Sequence, residues 1–279
     1  MLAACQGRHY ATQDTLPENS MATNPYAAPQ ARVADAPVPT PDGQFVPDGQ
    51  ALAAGSGWAW FVDGWRLFRA QPGLWIGISV ALLAFYVLVS LIPWIGQLAT
   101  TLLTPVIAGG LLLGCKALDE GGTLTFGHLF EGFRLPQAGR LVMVGVVSLA
   151  AAVVMLVSIF LVVGAGFGVS MLGGTPGMGG LGLTTALAIL IALAVSIPVY
   201  MALWFAPALV TLHDFGTADA LKASFTACLK NMLPFLVYGI AALLLSVVAL
   251  VPFGLGLLVL VPVFIASVYA AYRDIFFIR

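Results

Sequence analysis

Three long stretches of the chain contain no acidic, basic or histidine side chain. They cover 70–115, 141–212 and 231–272 and hold 46, 72 and 42 residues. A helix needs about 20 residues to cross the hydrocarbon of a bilayer, so each stretch has room for two crossings joined by a turn. The pattern therefore predicts an all-α polytopic membrane protein with six transmembrane helices arranged as three hairpins.

Breaks within the stretches divide them into individual spans. The sequence Pro-Trp-Ile-Gly interrupts the first stretch at 93–96, and Pro-Phe-Gly interrupts the third at 252–254; such residues favour turns. The middle stretch contains a glycine-rich segment, 164–182, which we interpret as a loop because glycine disfavours helices; a re-entrant segment is the alternative. The predicted spans are 74–93, 97–117, 141–163, 184–212, 232–251 and 255–273.

A short amphipathic segment precedes each hairpin. Its apolar residues recur at helical spacing, as expected of a helix that lies in the membrane interface with its apolar side down. The three sets are Trp58, Phe61, Val62, Trp65 and Phe68; Phe126, Leu129, Phe130 and Phe133; and Leu221, Phe225, Cys228, Leu229 and Met232. We expect a threefold repeat in which each interfacial helix braces the hairpin that follows it.

Proline positions support the repeat. Pro105 lies eleven residues before Lys116, and Pro262 lies eleven residues before Arg273, so we expect equivalent kinks in the second and sixth spans. Pro207 predicts a kink in the fourth span at a different position. Chance is the alternative explanation, because membrane helices tolerate proline.

Composition and charge narrow the class of protein. The chain is 60% apolar and 8% charged, whereas soluble domains are about 45–50% apolar and about 25% charged. The lipid bilayer is therefore the first expected partner. A net charge of −1 provides no basic field for nucleic acid. Lys and Arg of the transmembrane part fall on one face, which places both termini in the cytoplasm.

The first 57 residues form a separate compositional region. Residues 1–57 are rich in Pro, Ala, Gly, Asp and Gln and lack apolar periodicity, which predicts a disordered cytoplasmic tail. Residues 58–279 are the predicted six-helix transmembrane domain.

Candidate chemistry is sparse. His213 and Asp214 form a histidine–carboxylate neighbour pair at the cytoplasmic end of span four, so they are weak candidates for a functional site; we favour a polar helix end near headgroups. His128 and Glu131 have a spacing that can bind metal, but a solvated helix face is the favoured interpretation. We predict no catalytic, cofactor-binding or metal-binding residue, because the three charge-free stretches contain no histidine or carboxylate that could activate a nucleophile.

Several motifs resemble a family of uncharacterised proteobacterial integral membrane proteins. They are NPYAAP (24–29), GWRLFRAQPGLW (64–75), WFAPALVTLHD (204–214), KASFTACLKNMLPFLVYG (222–239) and YAAYRDIF (269–276). The layout is also similar to the membrane domain of some bacterial glycerophosphodiester phosphodiesterases. The resemblance implies an inner-membrane protein of unknown activity, and it favours translation from Met21.

These observations lead to one main functional hypothesis and one alternative. The first is a non-enzymatic inner-membrane protein that scaffolds a membrane-protein partner, forms homo-oligomers or organises lipid. The alternative is an uncoupled transporter or channel for a small or lipidic solute, which the proline kinks and the glycine-rich segment favour.

Overall fold

The computed structural model describes residues 43–172 and 178–278. The helices of this part are α1 (Ser56–Ala70), α2 (Pro72–Ser90), α3 (Ile95–Asp119), α4 (His128–Arg134), α5 (Ala138–Leu172), α6 (Met178–Trp204), α7 (Ala206–His213), α8 (Thr217–Lys230), α9 (Met232–Leu250) and α10 (Leu257–Phe276). Two short strands, β1 (Gln44–Phe45) and β2 (Phe277–Ile278), pair antiparallel.

The prediction of six spans is confirmed. Helices α2, α3, α5, α9 and α10 are each long and apolar enough to cross a membrane, and α6 with α7 provides the remaining crossing. The first and third hairpins turn at 91–94 and 251–256, as their proline–aromatic sequences predicted. We call the face that carries these turns the uncharged face, and the face that carries residues 43 and 278 the charged face.

The glycine-rich segment does not form the predicted loop. α5 continues as a helix to Leu172 and α6 begins at Met178, so most of 164–182 is helical, while 173–177 lie outside the described residues. Glycine costs about 1 kcal/mol in a helix, but a helix satisfies its backbone hydrogen bonds internally, which any part of the segment that lies in hydrocarbon requires.

The ordered body also begins earlier than the composition predicted. Of the tail assigned to 1–57, residues 1–42 lie outside the described residues. The rest forms β1, a segment that lies against the bundle, and the start of α1. Its order comes from long-range contacts with the other end of the chain, which local composition does not encode.

The three amphipathic segments form helices α1, α4 and α8, but they pack differently from the prediction. α4 packs on α3 and α8 on α6, in each case the hairpin before it. α1 packs on α9 and α10, the last hairpin of the chain. The expectation that each amphipathic helix braces the following hairpin was therefore wrong. The spacing of apolar residues shows which face of a helix is buried, but it does not show which hairpin that face packs against.

Two of these helices make equivalent contacts through glycine. A Cβ atom on Gly132 of α4 would lie 2.0 Å from the carbonyl oxygen of Val106 on α3. A Cβ atom on Gly64 of α1 would lie 2.7 Å from the carbonyl oxygen of Val263 on α10. Val106 directly follows Pro105 and Val263 directly follows Pro262, the two prolines at equivalent positions in the second and sixth spans. The first and third hairpins therefore share one packing arrangement.

The third copy uses a hydroxyl group instead. Ser224 of α8 donates to the carbonyl oxygen of Met201 at 2.7 Å and accepts from the N–H of Phe205 at 3.0 Å. These two backbone groups would bond each other in an unbroken helix. The inserted hydroxyl and Pro207 thus separate α6 from α7, which confirms a distortion of span four near this proline.

Burial is uneven along the bundle. Leu141 and Val144, near the start of α5, are buried, whereas Val153, Phe160 and Val163 further along it are exposed. α10 is mostly buried along its length. Among the described side chains, burial is therefore greater near the charged face than toward the uncharged face.

Candidate functional site

His213 and Asp214, the weak candidates from the sequence, face different partners. The His213 ring stacks on Phe45 with centroids 3.8 Å apart and hydrogen-bonds the hydroxyl of Tyr272. Asp214 follows the last turn of α7 with φ of 57°, and its carboxylate bonds Arg140 at 2.8 Å. The left-handed residue turns the two side chains apart, so they do not form an acid–base pair.

The segment 44–52, which we call the strap, crosses the charged face. The Gln50 side chain donates to the carbonyl oxygens of Asp274 and Phe277, both at 2.9 Å. Asn231, which is fully buried, accepts from the N–H of Leu52 at 2.9 Å and donates to the carbonyl oxygen of Gln50 at 2.8 Å. The strap is therefore fastened to both α8–α9 and the end of the chain.

An ionic cluster links three elements of the same face. The Asp119 carboxylate, at the end of α3, bonds Arg66 of α1 at 3.2 Å and also bonds Arg273 of α10. The Asp119 side chain is only 7% exposed. One acid thus holds two guanidinium groups, which is a structural use of charge that joins α1, α3 and α10.

Groups with metal-binding or nucleophilic chemistry are occupied by structural contacts. Among the described residues no three His, Cys, Asp or Glu side chains lie together as a metal site would require. Nδ1 of His128 accepts from the N–H of Thr125 at 3.0 Å. Burial raises the pKa of the Cys228 thiol to about 12, against a smaller opposing effect of Ser224, so this thiol is not a thiolate at neutral pH.

The bundle contains a central apolar cavity of about 710 Å³. All three hairpins contribute to its wall: α2 and α3, the end of span four, and α10 with the turn before it. Leucine, isoleucine and valine dominate this wall, and its side-chain oxygen atoms belong to Ser79, Tyr86 and Thr104. The arrangement is that of an apolar ligand pocket with few polar groups.

The cavity is closed on one side and open on the other. Toward the charged face, Phe205, Leu209, Ile275 and Phe276 are all 0% exposed, and the strap lies beyond them. Toward the uncharged face, the wall ends at turn residues 253–255, of which Phe253 and Leu255 are exposed. A ligand can therefore enter from the uncharged face or laterally, but not from the charged face in this state.

One relative decides the family. A probable inner membrane protein of Burkholderia thailandensis is 31% identical over an alignment of 230 residues, which covers 78% of this chain and 82% of that protein. The chain belongs to the family of this probable inner membrane protein. No family model matches the sequence, and no solved structure matches the fold. The similarity to the membrane domain of phosphodiesterases stays a prediction.

Because the chain belongs to an inner-membrane family, its exposed apolar surfaces are expected to face lipid rather than water. A second groove, of about 510 Å³, lies beneath α1 between Trp58, Val62 and Trp65 on one side and the outer parts of α9 and α10 on the other. The apolar lining of this groove suits the hydrocarbon of a bilayer.

Two features of this inner-membrane protein were not predicted from its sequence: the polar pair in the cavity wall and the ionic cluster at Asp119. Tyr86 and Thr104 stand inside apolar spans, and a polar group at that depth is a functional signal that could have been used. Asp119 gave no such signal, because its two arginine partners lie 53 and 154 residues away in the chain.

Proposed function

We propose that this protein binds a lipid in its central cavity and organises it without chemical conversion. The observation that carries the proposal is the composition of the cavity wall, which is apolar and is supplied by all three hairpins. Its volume of about 710 Å³ falls within the range of about 300–1,000 Å³ that is usual for small-ligand pockets. A hydrocarbon chain is the ligand that such a wall accommodates without stranding polar groups.

The absence of conversion is part of the proposal. The side chains that line the cavity include no His, Cys, Asp, Glu, Lys or Arg, and the Tyr86 hydroxyl is engaged with Thr104 at 3.1 Å. Acid–base or nucleophilic catalysis would need a second positioned group. The wall favours binding over hydrolysis of a lipid.

Orientation completes the functional picture. We propose that both termini are cytoplasmic, because Lys and Arg of the transmembrane part belong to the charged face and cytoplasmic loops are enriched in these residues. The cavity would then open to the periplasmic leaflet, while the strap lies in the cytoplasm.

A cavity-filling variant tests the proposal. Ala108 lines the cavity, and Ala108→Phe adds a ring to that space, whereas Ala150→Phe adds the same ring at an exposed position of α5. Native mass spectrometry of the purified protein should find lipid bound to the wild type and to Ala150→Phe. Occupancy should fall at least severalfold in Ala108→Phe, and equal occupancy in all three proteins would rule the proposal out.

An uncoupled lipid carrier is the second candidate. It is favoured by the break of span four at Phe205, because Trp204 and Pro207 on either side of the break line the cavity. Broken helices often mark the moving parts of transporters. Translocation of a fluorescent lipid in proteoliposomes, lost in Ala108→Phe, would favour the carrier over a static lipid-binding role.

A further inference from the structure

Each hydroxyl group of the cavity wall already donates its proton in a hydrogen bond within the protein. Ser79 donates to the carbonyl oxygen of Trp75 at 3.0 Å, and Thr104 donates to that of Thr100 at 2.6 Å. A threonine hydroxyl has one proton, so Thr104 acts as the acceptor in its 3.1 Å contact with Tyr86. The Tyr86 oxygen then keeps its lone pairs and has no proton left to donate.

This arrangement determines which polar groups the cavity can receive. Apart from the indole N–H of Trp204, the lining side chains offer no spare donor, and none carries a positive charge. A phosphate or carboxylate needs donors or cations and would be stranded in this wall. A ligand hydroxyl can instead donate to Tyr86.

The position of Tyr86 determines which end of the ligand lies deeper in the cavity. It lies four residues before the end of α2 at Ser90, which is about 6 Å from the uncharged end of that helix. The cavity continues inward to Val268, which is about 17 Å along α10 from Leu257. A hydrocarbon chain that enters from the uncharged face can place its hydroxyl at Tyr86 and its tail deeper in the bundle.

We infer that the central cavity binds a lipid alcohol, an uncharged lipid whose free hydroxyl donates a hydrogen bond to Tyr86. This inference rests on the proposed lipid-binding function and names its ligand class. Tyr86 selects the hydroxyl, while the apolar wall holds the chain.

Three probes of matched chain length test the assignment: 1-hexadecanol, methyl hexadecyl ether and hexadecanoate. Binding to the full-length protein is measured by native mass spectrometry after exchange into a lipid-free detergent. The alcohol should bind about fivefold more tightly than the ether, since one hydrogen bond of ordinary strength separates them. Hexadecanoate should bind more weakly than the alcohol.

Two variants and a control separate the role of Tyr86 from general damage. Tyr86→Phe should reduce the preference for the alcohol to about one while ether binding persists. Thr104→Val removes the acceptor for the Tyr86 proton, so the ether should gain affinity. Thr101→Val, whose hydroxyl bonds the carbonyl oxygen of Gln97 at 2.8 Å outside the cavity, should retain the wild-type preference.

The outcomes distinguish this inference from the proposed function. Equal binding of alcohol and ether to the wild type, with both weakened by Ala108→Phe, would overturn the lipid alcohol and leave lipid binding in place. Tightest binding of hexadecanoate would also overturn the lipid alcohol. Failure of every probe to bind, with no lipid retained on purification, would overturn both.

Discussion

The hydroxyl of Ser224 takes the place of a backbone hydrogen bond at the break of span four. Ser224→Ala leaves the N–H of Phe205 and the carbonyl oxygen of Met201 without this partner in a buried position. We expect the free energy of unfolding to fall by about 1–3 kcal/mol. Thermal unfolding in detergent measures the loss, with Thr226→Ala on the same helix as control. Equal melting of the two variants would show that the backbone groups re-form their direct bond.

Asp119 is the acid on which three elements converge. Asp119→Asn removes the charge that holds Arg66 and Arg273, so we expect a loss of about 2 kcal/mol. Glu120→Gln is the matched control, because Glu120 is half exposed and lies 3.8 Å from Lys116; such a pair contributes below about 1 kcal/mol. Denaturation at low and high salt compares them, and a control as unstable as Asp119→Asn would contradict the assignment.

The thiol of Cys228 provides a pH-dependent readout. Burial raises its pKa to about 12, whereas an unfolded cysteine titrates near about 8.5. The unfolded chain therefore loses this proton first, so stability should decline as the pH rises from about 9 to 12. Melting curves across this range should be less pH-dependent in Cys228→Ser. An unchanged dependence would show that the thiol does not contribute.

At the scale of elements, α4 depends on a glycine. Gly132→Ala would place a methyl group against the carbonyl oxygen of Val106, and overpacking of this kind costs about 1–3 kcal/mol. Gly139→Ala is the control, because no heavy atom lies within 4 Å of a Cβ at that position. We expect a lower melting temperature for Gly132→Ala alone. A melting temperature equal to that of the control would mean that α4 is not held against α3.

Local sequence patterns predicted the helices, but they did not predict which helices pack against each other. The spans were predictable because lipid demands long apolar helices with satisfied backbones. The amphipathic helices were predictable from spacing, but the hairpin that each supports depends on contacts such as Gly132 with Val106. The cavity was not predictable at all, because its wall joins residues from all three hairpins. His213 and Asp214 were adjacent in sequence, and the left-handed backbone of Asp214 separated them.

For the whole molecule, the arrangement of the termini yields a topology prediction. Reporter fusions at Gly96 and Gly254 should report the periplasm, and fusions at Gly121 and Gly216 the cytoplasm. The physical reason is the confinement of Lys and Arg to one face of the bundle. A cytoplasmic signal from either turn would reverse the proposed orientation and would place the cavity mouth in the other leaflet.

The packing of α1 on α10 has a consequence for biosynthesis. Phe276, at the end of α10, follows Ala70, at the end of α1, by 206 residues. Translation at about 5–20 residues per second needs about 10–40 s to cover that distance. During this interval α1 has left the ribosome but its binding groove does not exist, so its tryptophan-rich surface must rest on lipid or on an insertion factor. The nascent chain can form the contact between α1 and α10 only when the last span has entered the membrane.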